Sequence, residues 1–274
     1  MLSEVKIAPS ASAAFNKVFY AWRVFATGLS FSVFGLGGPI IALSISAFLF
    51  VVPASQQDKC QLSRKAIAGA FRLYIRFMKL CGLLTYEIRG KEHMPSGGQL
   101  VIANHPSLLD VVFLYSIIPN ANCIVRDGLL RNTFTGPPIK AARFICNDTP
   151  NVIAESVDAL QYDSPLIVFP EGTRGAPDKP IRFQRGAANI ALTAKCDVHP
   201  AVIQCDPPTL MKHQKWYNIP ETPPHFIIDF RPAIAITPYL ESEHPQCKQA
   251  RRLTADLEAY FTKHTRGAQP PVTE

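Results

Sequence analysis

Asn104-His105-Pro106-Ser107-Leu108-Leu109-Asp110 places a histidine five residues before a carboxylate, at the junction of a predicted strand and a predicted helix. The apolar run 99–103 comes before it and contains β-branched residues, which indicates a buried strand. Apolar residues recur at helical spacing after it, so a helix is predicted over 106–118. Pro106 fits the first turn of that helix, with His105 or Asn104 as its cap.

Asp110 would then lie about one turn inside the helix, within reach of the His105 ring. Histidine titrates near neutral pH, and a neighbouring carboxylate fixes its tautomer, so the pair suits general-base catalysis. A capping histidine beside a surface aspartate has the same spacing. The first stretch alone therefore leaves both interpretations open.

A second polar turn follows another predicted strand, Leu166-Ile167-Val168-Phe169. This turn is Pro170-Glu171-Gly172-Thr173-Arg174. Ligands of open α/β sheets bind where the strands meet the loops that follow them, so both turns are expected to face one crevice. Glu171 and Arg174 would lie beside His105, with Gly172 allowing a close approach of the backbone to a ligand. Taken by itself, the second turn also fits a solvated loop.

The rest of the chain alternates between strand and helix patterns. Helices are predicted near 106–118, 151–162, 185–195 and 247–263, and strands near 86–88, 99–104, 122–126, 143–146, 165–169, 199–204 and 225–231. Such alternation is typical of an α/β fold with a mainly parallel sheet flanked by helices.

The two polar turns, in this order and about sixty residues apart, resemble the sequence blocks of the glycerolipid acyltransferase family, which includes bacterial 1-acylglycerol-3-phosphate acyltransferases. Asn-His-x4-Asp is similar to the first block of that family, and Phe169 to Arg174 to the third. The resemblance extends from about Tyr86 to Ile203. Looser matches are Cys123 to Arg126, Gly136, Phe183 with Gly186, and His199 to Val202.

The resemblance implies a membrane-bound O-acyltransferase that moves a fatty acyl group from coenzyme A or acyl carrier protein to a lysophospholipid hydroxyl. His105 would be the base and Asp110 would stabilise the imidazolium. Substrate binding would fall to Glu171, Gly172, Thr173, Arg174 and Arg126. No metal and no further cofactor are expected.

The chain departs from the family where the second block usually ends in an arginine. It has Asn147 there, and Arg143 would lie roughly 13 Å away along a strand. An acceptor without glycerol phosphate, such as an ornithine-type lyso-lipid or a polyene or other specialised lipid, is therefore an alternative. A thioesterase and a non-catalytic lipid-binding protein are further alternatives.

Charge and hydropathy divide the chain into two parts. Residues 1–94 hold 11 Lys and Arg against 4 Asp and Glu, whereas 95–274 hold 17 of each. The basic excess adjoins the most apolar stretch, which indicates an anionic membrane surface as partner and not nucleic acid. The seven cysteines form no C-x-x-C pair, as expected for a reducing cytoplasm.

A run of 34 residues, 24–57, contains no charge and is long enough to cross a bilayer. Gly35 to Pro39 interrupt it, so a kinked single span and a re-entrant hairpin are both open, with a buried helix pair of a soluble protein as a third possibility. The division expected from this reading is a leader (1–23), an anchor with a basic amphipathic helix (24–84), an acyltransferase domain (85–264) and a disordered tail (265–274).

Two basic regions are candidates for membrane contact. The helix predicted over Gln61 to Leu84 carries Lys65, Arg72, Arg76 and Lys79 on one side, although an ordinary surface helix has the same pattern. More positive charge follows the apolar run than precedes it, which places the later chain on the cytoplasmic side of the membrane. The proline-rich loop 206–224 suits a membrane interface, an acidic carrier protein or plain solvent exposure, and its basic and aromatic residues are Lys212, His213, Lys215, Trp216 and Tyr217.

Overall fold

The computed structural model describes residues 11–51, 55–162, 164–175 and 179–266. Seven strands form one sheet in the order β1-β7-β6-β2-β5-β3-β4. Only β6 and β7 pair antiparallel, and the other neighbouring strands are parallel. The mainly parallel α/β sheet predicted from the sequence is thus confirmed. The strands are β1 (Thr85–Arg89), β2 (Leu100–Ala103), β3 (Asn122–Val125), β4 (Ile145–Cys146), β5 (Leu166–Val168), β6 (Val198–Asp206) and β7 (His225–Phe230).

Helices cover both faces of the sheet, and the described residues include α1 (Ala11–Val51), α2 (Gln56–Leu80), α3 (Asp110–Ile117), α4 (Asp127–Arg131), α5 (Gly136–Ala141), α6 (Val152–Gln161), α7 (Gly186–Ala194), α8 (Thr237–Leu240) and α9 (Gln246–Arg266). One apolar core joins α1, α2 and α3 to the sheet. A second core joins α6, α7 and α9 to the opposite face, and a small third cluster forms around Ile67 of α2 and Ala142. Because successive strand residues point to opposite faces, Val101 enters the first core, and Leu100 and Ile102 enter the second.

The helix α1 is continuous past Pro39, so the chain does not reverse at the Gly35 to Pro39 interruption. The helix α2, which begins at Gln56, runs antiparallel to α1. Three contacts show this direction: Trp22 Nε1 to the Cys81 carbonyl at 3.0 Å, Tyr74 Oη to the Ser30 carbonyl at 3.3 Å, and Phe34 stacked on Phe71. Of the arrangements that the sequence left open for 24–57, the re-entrant hairpin does not form within 24–51. The hairpin that forms has α1 as one arm and α2 as the other.

Several predicted boundaries also differ from the structure. Of the predicted leader (1–23), residues 11–23 belong to α1 and residues 1–10 lie outside the described ranges. Thr265 and Arg266, predicted to lie in the tail, belong to α9. The other predicted tail residues, 267–274, lie outside the described ranges. The short helices α4, α5 and α8 were not foreseen, because four to six residues are too few for a helical period to show in a sequence.

Candidate active site

The two polar turns lie next to each other because β2 and β5 are neighbouring parallel strands, with Ile102 opposite Val168. His105 follows β2 by two residues and Glu171 follows β5 by three. β3 lies on the far side of β5 and ends just before Arg126. Carboxyl ends of parallel strands meet at one edge of a sheet, so this edge collects all the candidate residues.

The imidazole of His105 is held by Asp110. His105 Nδ1 lies 2.9 Å from Asp110 Oδ2, and the same oxygen accepts from the Ser107 N–H at 2.7 Å. The Asp110 side chain is fully buried, whereas that of His105 is 15% exposed. The carboxylate therefore fixes Nδ1 as the protonated ring nitrogen and leaves Nε2 as the nitrogen that can accept a proton.

Asp110 is the first residue of α3, not a residue one turn inside it. The residues 106–109 form an irregular turn, and Leu109 precedes the helix. The prediction that Pro106 starts the helix is wrong, because the chain first bends so that the Ser107 N–H points at the carboxylate. An acidic residue in the first turn of a helix is favoured by the helix dipole, which helps to hold the Asp110 charge.

Glu171 binds the backbone that carries the histidine. Its Oε1 accepts from the His105 N–H at 2.7 Å, and the His105 carbonyl in turn accepts from the Gly175 N–H at 2.8 Å. A Cβ at Gly175 would lie 2.9 Å from Glu171 Oε2, so only glycine fits there without a shift. The sequence suggested substrate binding for Glu171, and the geometry adds a role in positioning His105.

Arg174 is directed at the segment that joins β6 to β7, residues 207–224. Arg174 Nη1 donates to the carbonyl of Leu210 at 2.8 Å and to that of Met211 at 3.2 Å. The Leu210 carbonyl also accepts from the Leu108 N–H at 3.2 Å. One oxygen of this segment thus contacts both polar turns.

Arg126 reaches the second turn from β3, where its Nη2 donates to the Gly172 carbonyl. Gly172 has a φ of +65°, a conformation that favours glycine. Its own N–H donates to the Phe169 carbonyl at 3.0 Å, and Thr173 is half-buried in the same turn. Arg126 and Arg174 therefore bring two cations to the edge that holds His105.

Asn147 lies beside Arg126, since the Asn147 N–H donates to the Val125 carbonyl at 2.9 Å and Val125 pairs with Cys146. Arg143 precedes β4, which puts it near the opposite edge of the parallel sheet. Arg143 therefore does not take the place of the arginine that usually ends the second block. This agrees with the separation expected from the sequence. Arg126 directly follows β3, and β3 pairs with β4 next to Asn147.

Burial raises the pKa of both carboxyl groups at this edge. The hydrogen bond from the His105 side chain lowers the pKa of Asp110, and the hydrogen bond from the His105 backbone N–H lowers the pKa of Glu171. Desolvation disfavours the charged form, whereas a donor or a positive charge nearby restores it. An imidazolium at His105 would therefore stabilise the Asp110 carboxylate, which is the charge state that base catalysis requires.

Two residues at the site were not predicted to have their observed roles. The Asn104 amide binds β6 as a backbone would, with Nδ2 to the Ile203 carbonyl at 2.8 Å and the Ile203 N–H to Oδ1 at 2.7 Å. The Phe169 ring lies 4.6 Å from the His105 ring, centroid to centroid. Asn104 was considered only as a cap, and nothing in its sequence context indicated β6 as its partner.

This α/β edge thus brings a carboxylate-oriented histidine and two arginines together, an arrangement that suits base catalysis on an anionic substrate. Within the described ranges, no group of three or more His, Cys, Asp or Glu is placed to hold a metal ion.

Residues 85–204 match the family model described as Acyltransferase. A 1-acyl-sn-glycerol-3-phosphate acyltransferase of Helicobacter pylori is 30% identical over 116 residues, which cover 39% of this chain and 49% of that protein. The human 1-acyl-sn-glycerol-3-phosphate acyltransferase alpha is 30% identical over 142 residues, covering 48% of this chain and 50% of that protein. Residues 85–204 are therefore similar to an acyltransferase domain, and the chain spans about half the length of the curated relatives it matches.

The fold is that of a solved member of this family. The crystal structure of the 1-acyl-sn-glycerophosphate acyltransferase PlsC from Thermotoga maritima superposes with a TM-score of 0.67 at 16% sequence identity. The match covers 93% of this chain and 99% of that one. The likeness therefore extends beyond residues 85–204 into the N-terminal helices.

Proposed function

We propose that this protein is a membrane-bound O-acyltransferase that transfers a fatty acyl group from a thioester of coenzyme A or acyl carrier protein to the hydroxyl of a lysophospholipid such as 1-acylglycerol-3-phosphate. The observation that carries the proposal is the 2.9 Å contact of His105 Nδ1 with buried Asp110, beside Glu171 and two arginines. The acyltransferase family match over 85–204 supports the same reaction.

In this reaction His105 Nε2 takes the proton of the acceptor hydroxyl as its oxygen attacks the thioester carbonyl carbon. The new C–O bond forms, the C–S bond breaks, and the imidazolium returns the proton to the leaving thiolate. Asp110 stabilises the imidazolium, and histidine acts as base and not as nucleophile, so no acyl-enzyme is required. General acid–base catalysis of this kind contributes about 10²–10⁴-fold.

The acceptor is proposed to carry an anionic head, since Arg126 and Arg174 lie at the same edge as His105. Arginine binds phosphate or carboxylate with paired donors, which fixes the orientation of the ligand. The relatives from Helicobacter pylori and human are named for 1-acylglycerol-3-phosphate, which favours a phosphate. Asn147 at the second-block position keeps an acceptor without glycerol phosphate as the alternative.

Membrane attachment is proposed to occur through α1. Residues Lys17–Ile41 are long and apolar enough to cross a membrane, as some buried core helices and signal sequences also are. One face of α1 is covered by the domain, with Ala26, Thr27 and Ser30 buried. Another face presents an exposed apolar stripe at helical spacing, which comprises Val18, Trp22, Phe25, Leu29, Val33, Leu36, Ile40 and Leu43.

The cations of α2 favour an α1 that lies in the membrane plane. Lys65, Arg72, Arg76 and Lys79 are exposed over a length of about 21 Å, and they run beside α1 because the two helices are antiparallel. An upright α1 would carry these charges through the hydrocarbon, at about 2.5–3.5 kcal/mol for each one near the centre. In the plane, the stripe enters the bilayer while the cations stay at the headgroups. We place this surface on the cytoplasmic leaflet, where anionic lipids are found.

Purified protein in vesicles tests the reaction when lysophosphatidic acid is supplied with a labelled acyl thioester of coenzyme A or of acyl carrier protein. We expect labelled phosphatidic acid from wild type and none above background from His105→Ala. Label released as free fatty acid without an acceptor would instead identify a thioesterase. Faster acylation of an ornithine-type lyso-lipid would reject the phosphate acceptor.

A further inference from the structure

The β6–β7 segment, residues 207–224, covers the candidate site. It leaves the carboxyl end of β6, which lies beside β2, and the Leu210 carbonyl then contacts Arg174 and the Leu108 N–H. Leu210 has a φ of +52°, which is uncommon for a bulky residue and is kept only where the surroundings enforce it. The position of this carbonyl therefore depends on what holds the rest of the segment.

The far end of the segment is held by Arg23 of α1. The Arg23 guanidinium donates to three successive carbonyls, with Nη1 to Pro220 at 3.1 Å and to Glu221 at 2.8 Å, and Nη2 to Thr222 at 3.1 Å. Arg23 is only 1% exposed, so it does not extend to the lipid headgroups. These carbonyls accept from Nη1 and Nη2 and so compensate for much of the burial of the guanidinium, whereas the buried Nε has no partner among the described residues. Removing Arg23 would leave the three carbonyls without that partner.

The middle of the segment also contacts α1. The Trp216 ring lies 3.1 Å from the position that a Cβ would take at Gly28, and its centroid is 6.3 Å from that of Phe31. Any larger residue at Gly28 would push the ring away. The segment is thus fixed to α1 at two points and to Arg174 at a third, while its basic and aromatic residues Lys212, His213, Lys215, Trp216 and Tyr217 are exposed, as a solvated loop would have them.

We propose that Arg23 is a positioning residue that couples the membrane-attached helix α1 to the acceptor-binding Arg174 through the β6–β7 segment. Arg23 fixes residues 220–222, the segment fixes the Leu210 and Met211 carbonyls, and these carbonyls orient the Arg174 guanidinium. The inference rests on the proposed function, since Arg174 matters here as the group that binds the acceptor. Loosening the segment therefore changes acceptor binding more than donor binding.

A double-mutant cycle tests the coupling, with Arg23→Gln and Arg174→Lys alone and together, assayed in vesicles with lysophosphatidic acid and an acyl thioester of coenzyme A. We expect Arg23→Gln to lower kcat/KM for the acceptor by about tenfold, mainly through KM, with the donor KM changed less than about twofold. In the Arg174→Lys background the same change should cost less than about twofold, because coupled residues are not additive. Arg23→Lys should restore part of the activity.

Arg251→Gln is the matched control, because Arg251 is an exposed arginine of α9, which packs on the other face of the sheet. It should leave the acceptor KM unchanged at equal membrane binding. Additive effects of Arg23→Gln and Arg174→Lys, or equal changes of the acceptor and donor KM, would overturn the coupling. A wild-type protein without transferase activity would instead overturn the proposed function.

Trp216→Ala provides a second test should Arg23→Gln fail to fold. It loosens the same segment while Arg23 remains buried, and Trp216 is already 44% exposed. We expect the acceptor KM to rise about threefold with the donor KM unchanged, and the rise to disappear in the Arg174→Lys background. A folded Trp216→Ala protein with wild-type acceptor KM would contradict the proposal.

Discussion

The turns that carry His105 and Glu171 differ from the β6–β7 segment in what holds them. Each turn follows a central strand directly, and the two are bonded to each other by Glu171 Oε1 and the His105 N–H. The segment is 18 residues long and depends on contacts from α1, which comes almost two hundred residues earlier. His105 is thus positioned by short-range contacts of the sheet edge, whereas the carbonyls that Arg174 contacts lie on a segment held by α1.

The largest expected effect belongs to the short turns. His105→Ala should lower turnover by about 10²–10⁴-fold, because it removes the proton acceptor while the strands remain intact. Steady-state rates with lysophosphatidic acid measure this, with thermal unfolding and vesicle binding as checks on the fold. His93→Ala, at an exposed histidine outside the site, is the matched control. Turnover retained by His105→Ala would remove histidine from the reaction.

Asn104→Ala tests how strongly the first turn is tied to the sheet. The change leaves the buried N–H and carbonyl of Ile203 without their partner, at about 1–3 kcal/mol for each group. We expect the free energy of unfolding in detergent micelles to fall by about 2–6 kcal/mol. Asn104→Asp keeps one acceptor oxygen and should lose less. Equal losses in the two variants would show that the pairing with β6 contributes little.

Substitutions at two glycines of α1 test how closely this helix packs against the rest of the protein. A Cβ at Gly38 would lie 2.5 Å from the Phe134 carbonyl oxygen, whereas nothing lies within 4 Å at Gly35. Gly38→Ala should therefore destabilise the docking of α1 by about 1–3 kcal/mol. Gly35→Ala should be neutral or stabilise the helix by up to about 1 kcal/mol. Thermal unfolding of both variants in the same detergent decides this, and a stabilised Gly38→Ala would contradict the close packing.

The smallest expected effect is a change in the free energy of unfolding with pH. Because burial raises the pKa of Asp110, the Asp110 carboxyl group stays protonated to a higher pH in the folded protein than in the unfolded chain. The contribution of Asp110 to stability is therefore greatest at low pH and declines as pH rises from about 3.9, the ordinary value, to the raised one. The unfolding free energy of wild type minus that of Asp110→Asn should fall across this window in denaturant titrations. A rising difference would mean that the donors around Asp110 outweigh its burial.

The sequence by itself determined the sheet edge and the residues on it. The apolar runs before His105 and Glu171 fixed two buried strands, and the polar turns after them could only meet where parallel strands end. The exposed cations and the buried apolar side of α2 could also be predicted from the sequence, because helical periodicity depends only on residues close together in the chain. The sequence pattern could not predict the turn at 106–109, because this turn depends on the hydrogen bond from the Ser107 N–H to Asp110.

Only the tertiary structure decided what the long-range partners are. Arg23 could be read as a charge before a membrane segment, yet it is buried against residues 220–222, and Pro39 could be read as a break, yet α1 continues through it. Arg174 was expected to bind a ligand, but its Nη1 donates to the carbonyls of Leu210 and Met211. Backbone carbonyls leave no signature in a sequence, since every residue has one, and only the fold brings a particular carbonyl to a particular guanidinium.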